Sequence, residues 1–128
     1  VASESAFQKQ ILRRLRAVGD AHKHTDAQAG VPDISFTLRS NGKLMPLDGW
    51  IELKEGAGEW LSKEQALWMR KRGGAGAVCY MMRLEGRWVH LWWWTEAIKH
   101  EKSTLAWAAY PSAIDLAETL REVAHANA

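Results

Sequence analysis

The sequence predicts an α/β fold, a mixed sheet flanked by helices, on three observations. An amphipathic helix opens the chain, two apolar runs flank the hairpin dipeptide Asn41-Gly42, and a capped helix leads into a further apolar strand. At 128 residues, with 47% apolar and 25% charged content, the chain fits one compact domain spanning 1–128.

The elements follow in order. Residues 4–18 form the first helix, with Phe7, Ile11, Leu12, Leu15 and Val18 as its apolar stripe and Lys9, Arg13 and Arg16 opposite. Glu4 falls in line with that stripe, one turn before Phe7. It is either a first-turn acid favoured by the helix dipole or an acid aimed at the sheet. His22 to Thr25 form a short strand, and the strand carrying Asp33 follows. The hairpin then returns through Trp50-Ile51-Glu52-Leu53-Lys54 to Glu55. Ser62 with Gln65 makes a capping box that starts a helix over 63–72, ended by Gly73-Gly74. Ala75 to Leu84 read as a buried strand, Glu85-Gly86 as a tight turn and Arg87 to Trp94 as its partner. A last helix starts after Pro111, capped by Ser112, with Leu116, Ala117, Leu120 and Val123 on one face.

Composition narrows the function classes. No apolar run reaches the ~18 residues of a membrane span, and no signal-peptide pattern opens the sequence. Cys79 is alone, which excludes an intramolecular disulfide and a cysteine-rich zinc site. A soluble, intracellular (cytoplasmic) protein is expected, with no organic cofactor. Net charge +2 does not by itself announce a nucleic-acid binder. Two basic clusters do more: Arg13, Arg14 and Arg16 on the first helix, and Arg70, Lys71 and Arg72 with Lys63 on the second. Each is either a solvated face or a DNA contact. Eight tryptophans are many for this length. Trp88, Trp92 and Trp94 share a strand face with His90, while Val89, Leu91 and Trp93 take the other, as in a central strand. Core packing or a dimer interface explains them better than stacking on unpaired bases.

The hairpin carries the chemistry. With Asn41 and Gly42 as the loop, Ser40 pairs with Lys43 and Asp33 stands opposite Trp50. Side chains alternate with period two, so Asp33, Trp50, Glu52 and Lys54 share one face, with Glu52 diagonal to Asp33 at ~7–8 Å or less. Pro46 in the returning strand implies an edge or a bulge. A one-residue bulge would send Asp33 to the other face, whereas a two-residue irregularity would preserve the grouping, and under a shifted register Asp48 is the substitute acid. Two acids and an ammonium on one patch suit a divalent metal and a phosphate.

Gly30-Val31-Pro32-Asp33, the Glu52-x-Lys54 strand, Gln65-x-x-Trp68 and Gly73 before an apolar strand, at these spacings, resemble the PD-(D/E)XK nuclease superfamily and within it the VRR-NUC family. The resemblance covers about 3–84. It implies a restriction-endonuclease-like αβββαβ core, with the Trp-rich strand and last helix (about 87–125) as an extension. It further implies Mg²⁺ or Mn²⁺ held by Asp33, Glu52 and the Leu53 carbonyl, with Glu4, matching the first-helix acid of these enzymes and of the related Holliday-junction resolvases, completing the outer surroundings of the metal. Lys54 would orient the attacking water or stabilise developing charge. Gln65 has two open readings, the capping box and, as the resemblance implies, contact with the site water or phosphate. The expected activity is a Mg²⁺-dependent endodeoxyribonuclease leaving 5′-phosphates, a homodimer resolving Holliday junctions or other branched DNA in a phage or bacterial setting. The rivals are a flap- or duplex-cutting nuclease of the same fold, a non-catalytic nucleic-acid-binding module and a Trp-rich assembly protein.

Overall fold

A computed structural model describes residues 5–24, 30–39, 46–56, 61–74, 77–86, 88–94, 100–106 and 112–125. Helix α1 (Ala6–Val18) starts where the Ser5 hydroxyl accepts the Gln8 amide at 3.1 Å, a cap that satisfies one of the helix's orphan donors. Its stripe of Phe7, Ile11, Leu12 and Leu15 is buried as expected. Each such side chain contributes roughly 1.5–3 kcal/mol on burial. The chain passes directly into β1 (Gly19–Lys23), earlier than the strand expected over 22–25. At Gly19 a Cβ would collide with the Thr37 carbonyl, so glycine allows the close approach of helix end and sheet.

β2 (Ile34–Leu38) and β3 (Leu47–Glu55) form the hairpin, α2 (Lys63–Gly74) follows, and β4 (Val78–Glu85), β5 (Trp88–Trp94), β6 (His100–Ala106) and α3 (Ala113–His125) complete the order. The six strands lie in sequence order in one sheet, antiparallel except for β3 beside β4. The mixed sheet with flanking helices agrees with the α/β class. β6, between two segments outside the described residues, had no expectation attached to it.

The strands alternate between two environments. Ile34, Phe36, Ile51, Leu53, Tyr80, Met82, Leu91 and Trp93 face the core under α1 and α3, where Leu116, Ala117 and Leu120 close it. The Tyr80 hydroxyl donates to the Leu120 carbonyl at 2.7 Å and ties the last helix to the sheet. A smaller cluster of Leu61, Met69, Cys79, Met81 and Trp92 packs α2 on the other face. Burial pushes the Cys79 thiol up to about 12, which keeps it protonated and inert.

β5 lies between β4 and β6, which accounts for its apolar residues on both faces. Trp92 and Trp93 are buried, while Trp88 is 51% exposed. The two buried rings are therefore core and do not supply a surface for a second copy. Among the described residues no helix is long and apolar enough to cross a membrane.

Candidate active site

Asp33 immediately precedes β2, and the observed register places it differently from the hairpin count. Ile34 pairs with Ile51 and Leu38 with Leu47, so Asp33 continues opposite Glu52 and not opposite Trp50. The difference is two residues. Because the side-chain period is two, both acids remain on one face. Pro46 is exposed and lies just before β3, outside the ladder, so it forces no bulge.

The two carboxylates finish the hairpin in place of backbone. The Asp33 amide donates to Glu52 Oε1 at 3.1 Å, and the Leu53 amide donates to Asp33 Oδ2 at 2.9 Å. Pro32 has no N–H to extend the ladder, and these crossed bonds occupy the amides at its end. On the far side of Asp33, its carbonyl accepts the His24 amide at 2.7 Å, which carries the register across to the end of β1.

Glu52 is only 4% exposed. Lys54 Nζ lies 3.4 Å from its Oε2, and Gln65 Nε2 donates to the same oxygen at 2.7 Å. Burial, with the Asp33 charge adding and Lys54 opposing, pushes the Glu52 carboxyl up to about 7. Two carboxylates thus stand side by side at the end of the hairpin, with Lys54 the cation beside them.

Gln65 completes the expected capping box and also reaches Glu52. Its carbonyl oxygen accepts the Ser62 amide at 2.8 Å while the Ser62 hydroxyl accepts the Gln65 amide at 3.1 Å. The remaining NH₂ reaches Glu52. Gly30 holds this helix start against the hairpin. It has φ +87°, and an added Cβ would come within 2.5 Å of the Glu64 carbonyl. The glycine of the Gly-Val-Pro-Asp run therefore seats α2 beside the acids.

The donor set fits Mg²⁺ or Mn²⁺. Such ions take hard oxygen ligands, commonly one or two carboxylates with water and substrate phosphate completing the shell. The bonds already named leave acceptor directions open on both carboxylates. Among the described residues no group of three His, Cys, Asp or Glu side chains forms a larger cluster. Glu4 lies outside the described residues.

Asp48 shares the face of Glu52 but is exposed, hydrogen-bonded to Thr37 Oγ1, and far from Asp33 along the hairpin. It does not replace either acid. Trp50 packs on α2 through Trp68, with ring centroids 4.8 Å apart, on the face that carries Glu52.

The basic clusters separate. Arg13, Arg14 and Arg16 sit on α1, across the sheet from the acids. Arg14 is bonded to Gln10, and Arg16 Nε donates to the Ala21 carbonyl. The structure does not bring them to the site. Lys63, Arg70, Lys71 and Arg72 are exposed on α2, on the site's own face.

Two neighbours escaped the sequence reading. His24 stands in register with Asp33, its Nε2 2.8 Å from Ser35 Oγ and its ring 5.2 Å from that of Trp50. Arg83 is the register partner of Lys54 on β4, bonded to Glu85 and stacked 5.0 Å over Trp92. The parity of β4 was readable, but its parallel register was not. The chain matches no protein-family model, no curated protein and no solved structure.

Proposed function

We propose that this protein is a metal-dependent nuclease that hydrolyses phosphodiester bonds in DNA, with branched DNA as its preferred substrate and a homodimer as its working form. The observation that carries the reading is the convergence of Asp33, Glu52, Lys54 and Gln65 on one patch of the sheet, around a Glu52 carboxylate that is itself buried. The element order α1-β1-β2-β3-α2-β4 and the motif spacing support it as well.

Phosphodiester hydrolysis needs charge neutralisation and an activated water. A bound Mg²⁺ or Mn²⁺ would supply the Lewis acidity. Asp33 and Glu52 would hold it, joined in this reading by the Leu53 carbonyl. Lys54 sits beside Glu52, where its ammonium orients the attacking water and stabilises the charge that develops on the phosphate. Gln65, anchored through its carbonyl to Ser62, keeps Glu52 oriented through its NH₂. Trp50 and Trp68 limit water on one side, which strengthens each of these interactions. Lys63, Arg70, Lys71 and Arg72 line the same side of the sheet for phosphate contacts. Two copies provide the paired incisions that a junction requires.

The test is cleavage of labelled four-way junction, flap and duplex DNA with Mg²⁺ or EDTA, beside Glu52→Gln. Metal-dependent junction cutting that disappears in the variant is the expected result. Equal cutting of all substrates, or a monomer at micromolar concentration without junction preference, removes the resolvase claim and leaves the nuclease. No cutting, with wild type and variant alike, sinks both and favours a binding module.

A further inference from the structure

Beside the acid pair the sheet face is open. A groove of about 530 Å³ runs over β1, β2 and β3 on the side that α2 leaves bare. Its floor consists of two rows set by the register, Asp20-Thr37-Asp48 and His22-Ser35-Trp50. Trp50 belongs to the groove and also precedes Glu52 by two residues on the same face, a separation of roughly 7 Å. An occupant of the groove is therefore next to whatever the acids act on.

The chemistry of the floor selects the occupant. Asp20 and Asp48 are exposed carboxylates, which repel phosphate and accept N–H donors. Thr37 Oγ1 donates to one oxygen of Asp48, leaving the other free to accept. Trp50 and the exposed His22 supply aromatic surface, and Trp50 is fixed in place by His24 and Trp68. Aromatic surface beside acceptor oxygens suits the one uncharged part of a nucleotide that bears N–H donors, the base. The size falls in the range of small-ligand pockets and exceeds the needs of one base.

We infer that this groove binds an unpaired nucleobase adjacent to the scissile phosphate, with cytosine, whose N4 amino group is a donor toward carboxylate, preferred over thymine. A paired base cannot reach the sheet floor without leaving its stack, so the substrate is DNA with an unpaired nucleotide at the cut. The inference rests on the nuclease reading for its setting, but its recognition chemistry is tested separately.

The experiment is fluorescence anisotropy in EDTA with labelled duplexes carrying a single cytosine bulge, a thymine bulge, an abasic bulge, or no bulge. The cytosine bulge is expected to bind about tenfold more tightly than the abasic one, the range that base stacking contributes. Combined Asp20→Ala and Asp48→Ala, which removes the acceptor oxygens, should abolish the cytosine-over-thymine preference without weakening binding of the fully paired duplex. Thermal melts of this variant confirm folding, since both positions are exposed. Equal affinity for cytosine and abasic bulges, an unchanged base preference in the variant, or no binding at all overturns the inference. Cleavage in Mg²⁺ by the same samples reports on the nuclease reading independently. Cutting without base discrimination sinks only the groove, and discrimination without cutting sinks only the nuclease.

Discussion

The two faces of the sheet are built from alternate residues of the same strands, yet they have opposite characters. Under α1 and α3, Ile51 and Leu53 join a continuous cluster of buried apolar residues. On the other face, Trp50, Glu52 and Lys54 meet a helix that covers β4 and β5 but leaves β1 and β2 bare. The face under α1 and α3 carries the larger of the two buried clusters, and the other face combines a smaller one with two neighbouring acids and a groove. The larger core and the acid pair are thus separated by one residue along β3.

That separation can be broken at adjacent positions. Glu52→Gln should lower cleavage by about 10³-fold or more, as loss of a charged group central to transition-state stabilisation does, with the fold intact by circular dichroism. Ile51→Ala, next in the chain, should instead cost about 2–5 kcal/mol in urea unfolding while cleavage per folded molecule stays unchanged. Should Ile51→Ala and Glu52→Gln have similar profiles, the two faces are not independent. A smaller effect is expected where the faces are joined to α2. Gly30→Ala must place a Cβ at positive φ against the Glu64 carbonyl, costing ~1–3 kcal/mol and loosening Gln65 from Glu52, read as a fall in kcat at nearly constant KM.

The pH dependence of stability sharpens the contrast further. Glu52 is shifted from an ordinary 4.5 to about 7 in the folded protein. Its protonated form stabilises the fold below 4.5, and that contribution is lost as pH rises through 7, by up to about 3 kcal/mol. The Tm of the wild type should fall across this window more than that of Glu52→Gln, and Mg²⁺ should restore it at pH 8. The smallest effect concerns charge. Replacing Arg70, Lys71 and Arg72 with Gln should reduce the salt slope of DNA binding by ~0.9 per lost phosphate contact. The same change at Arg13, Arg14 and Arg16 should leave the slope alone.

Much of the helical framework was legible because capping boxes and apolar stripes are local signals. The acid grouping was legible for a different reason. The hairpin count assumed a two-residue loop at Asn41-Gly42, positions that lie outside the described residues, and it missed the register by two. An even error preserves parity, so the correct residues shared the correct face despite the wrong partners. Pro46 misled because a proline just ahead of a strand resembles one within it. His24 was passed over because it stands nine residues before Asp33, and only the β1–β2 pairing makes the two neighbours. His100–Ala106 has no strong alternation of apolar and polar residues, and its place beside β5 is a tertiary fact. The α1 arginines were indistinguishable in sequence from those on α2, because charge runs do not declare which side of a sheet they occupy.

Gln65 has one further consequence. Its amide is asymmetric: one end takes the Ser62 N–H and the other gives to Glu52. A glutamate would cap the helix as well but would turn another anion toward Asp33 and Glu52, so the amide suits both of its neighbours where the acid suits one. The same asymmetry makes the first turn of α2 a sensor. Whatever draws the NH₂ of Gln65 away from Glu52 also tugs on its grip of Ser62, and hydrogen exchange at that single backbone amide should report what binds between Asp33 and Glu52.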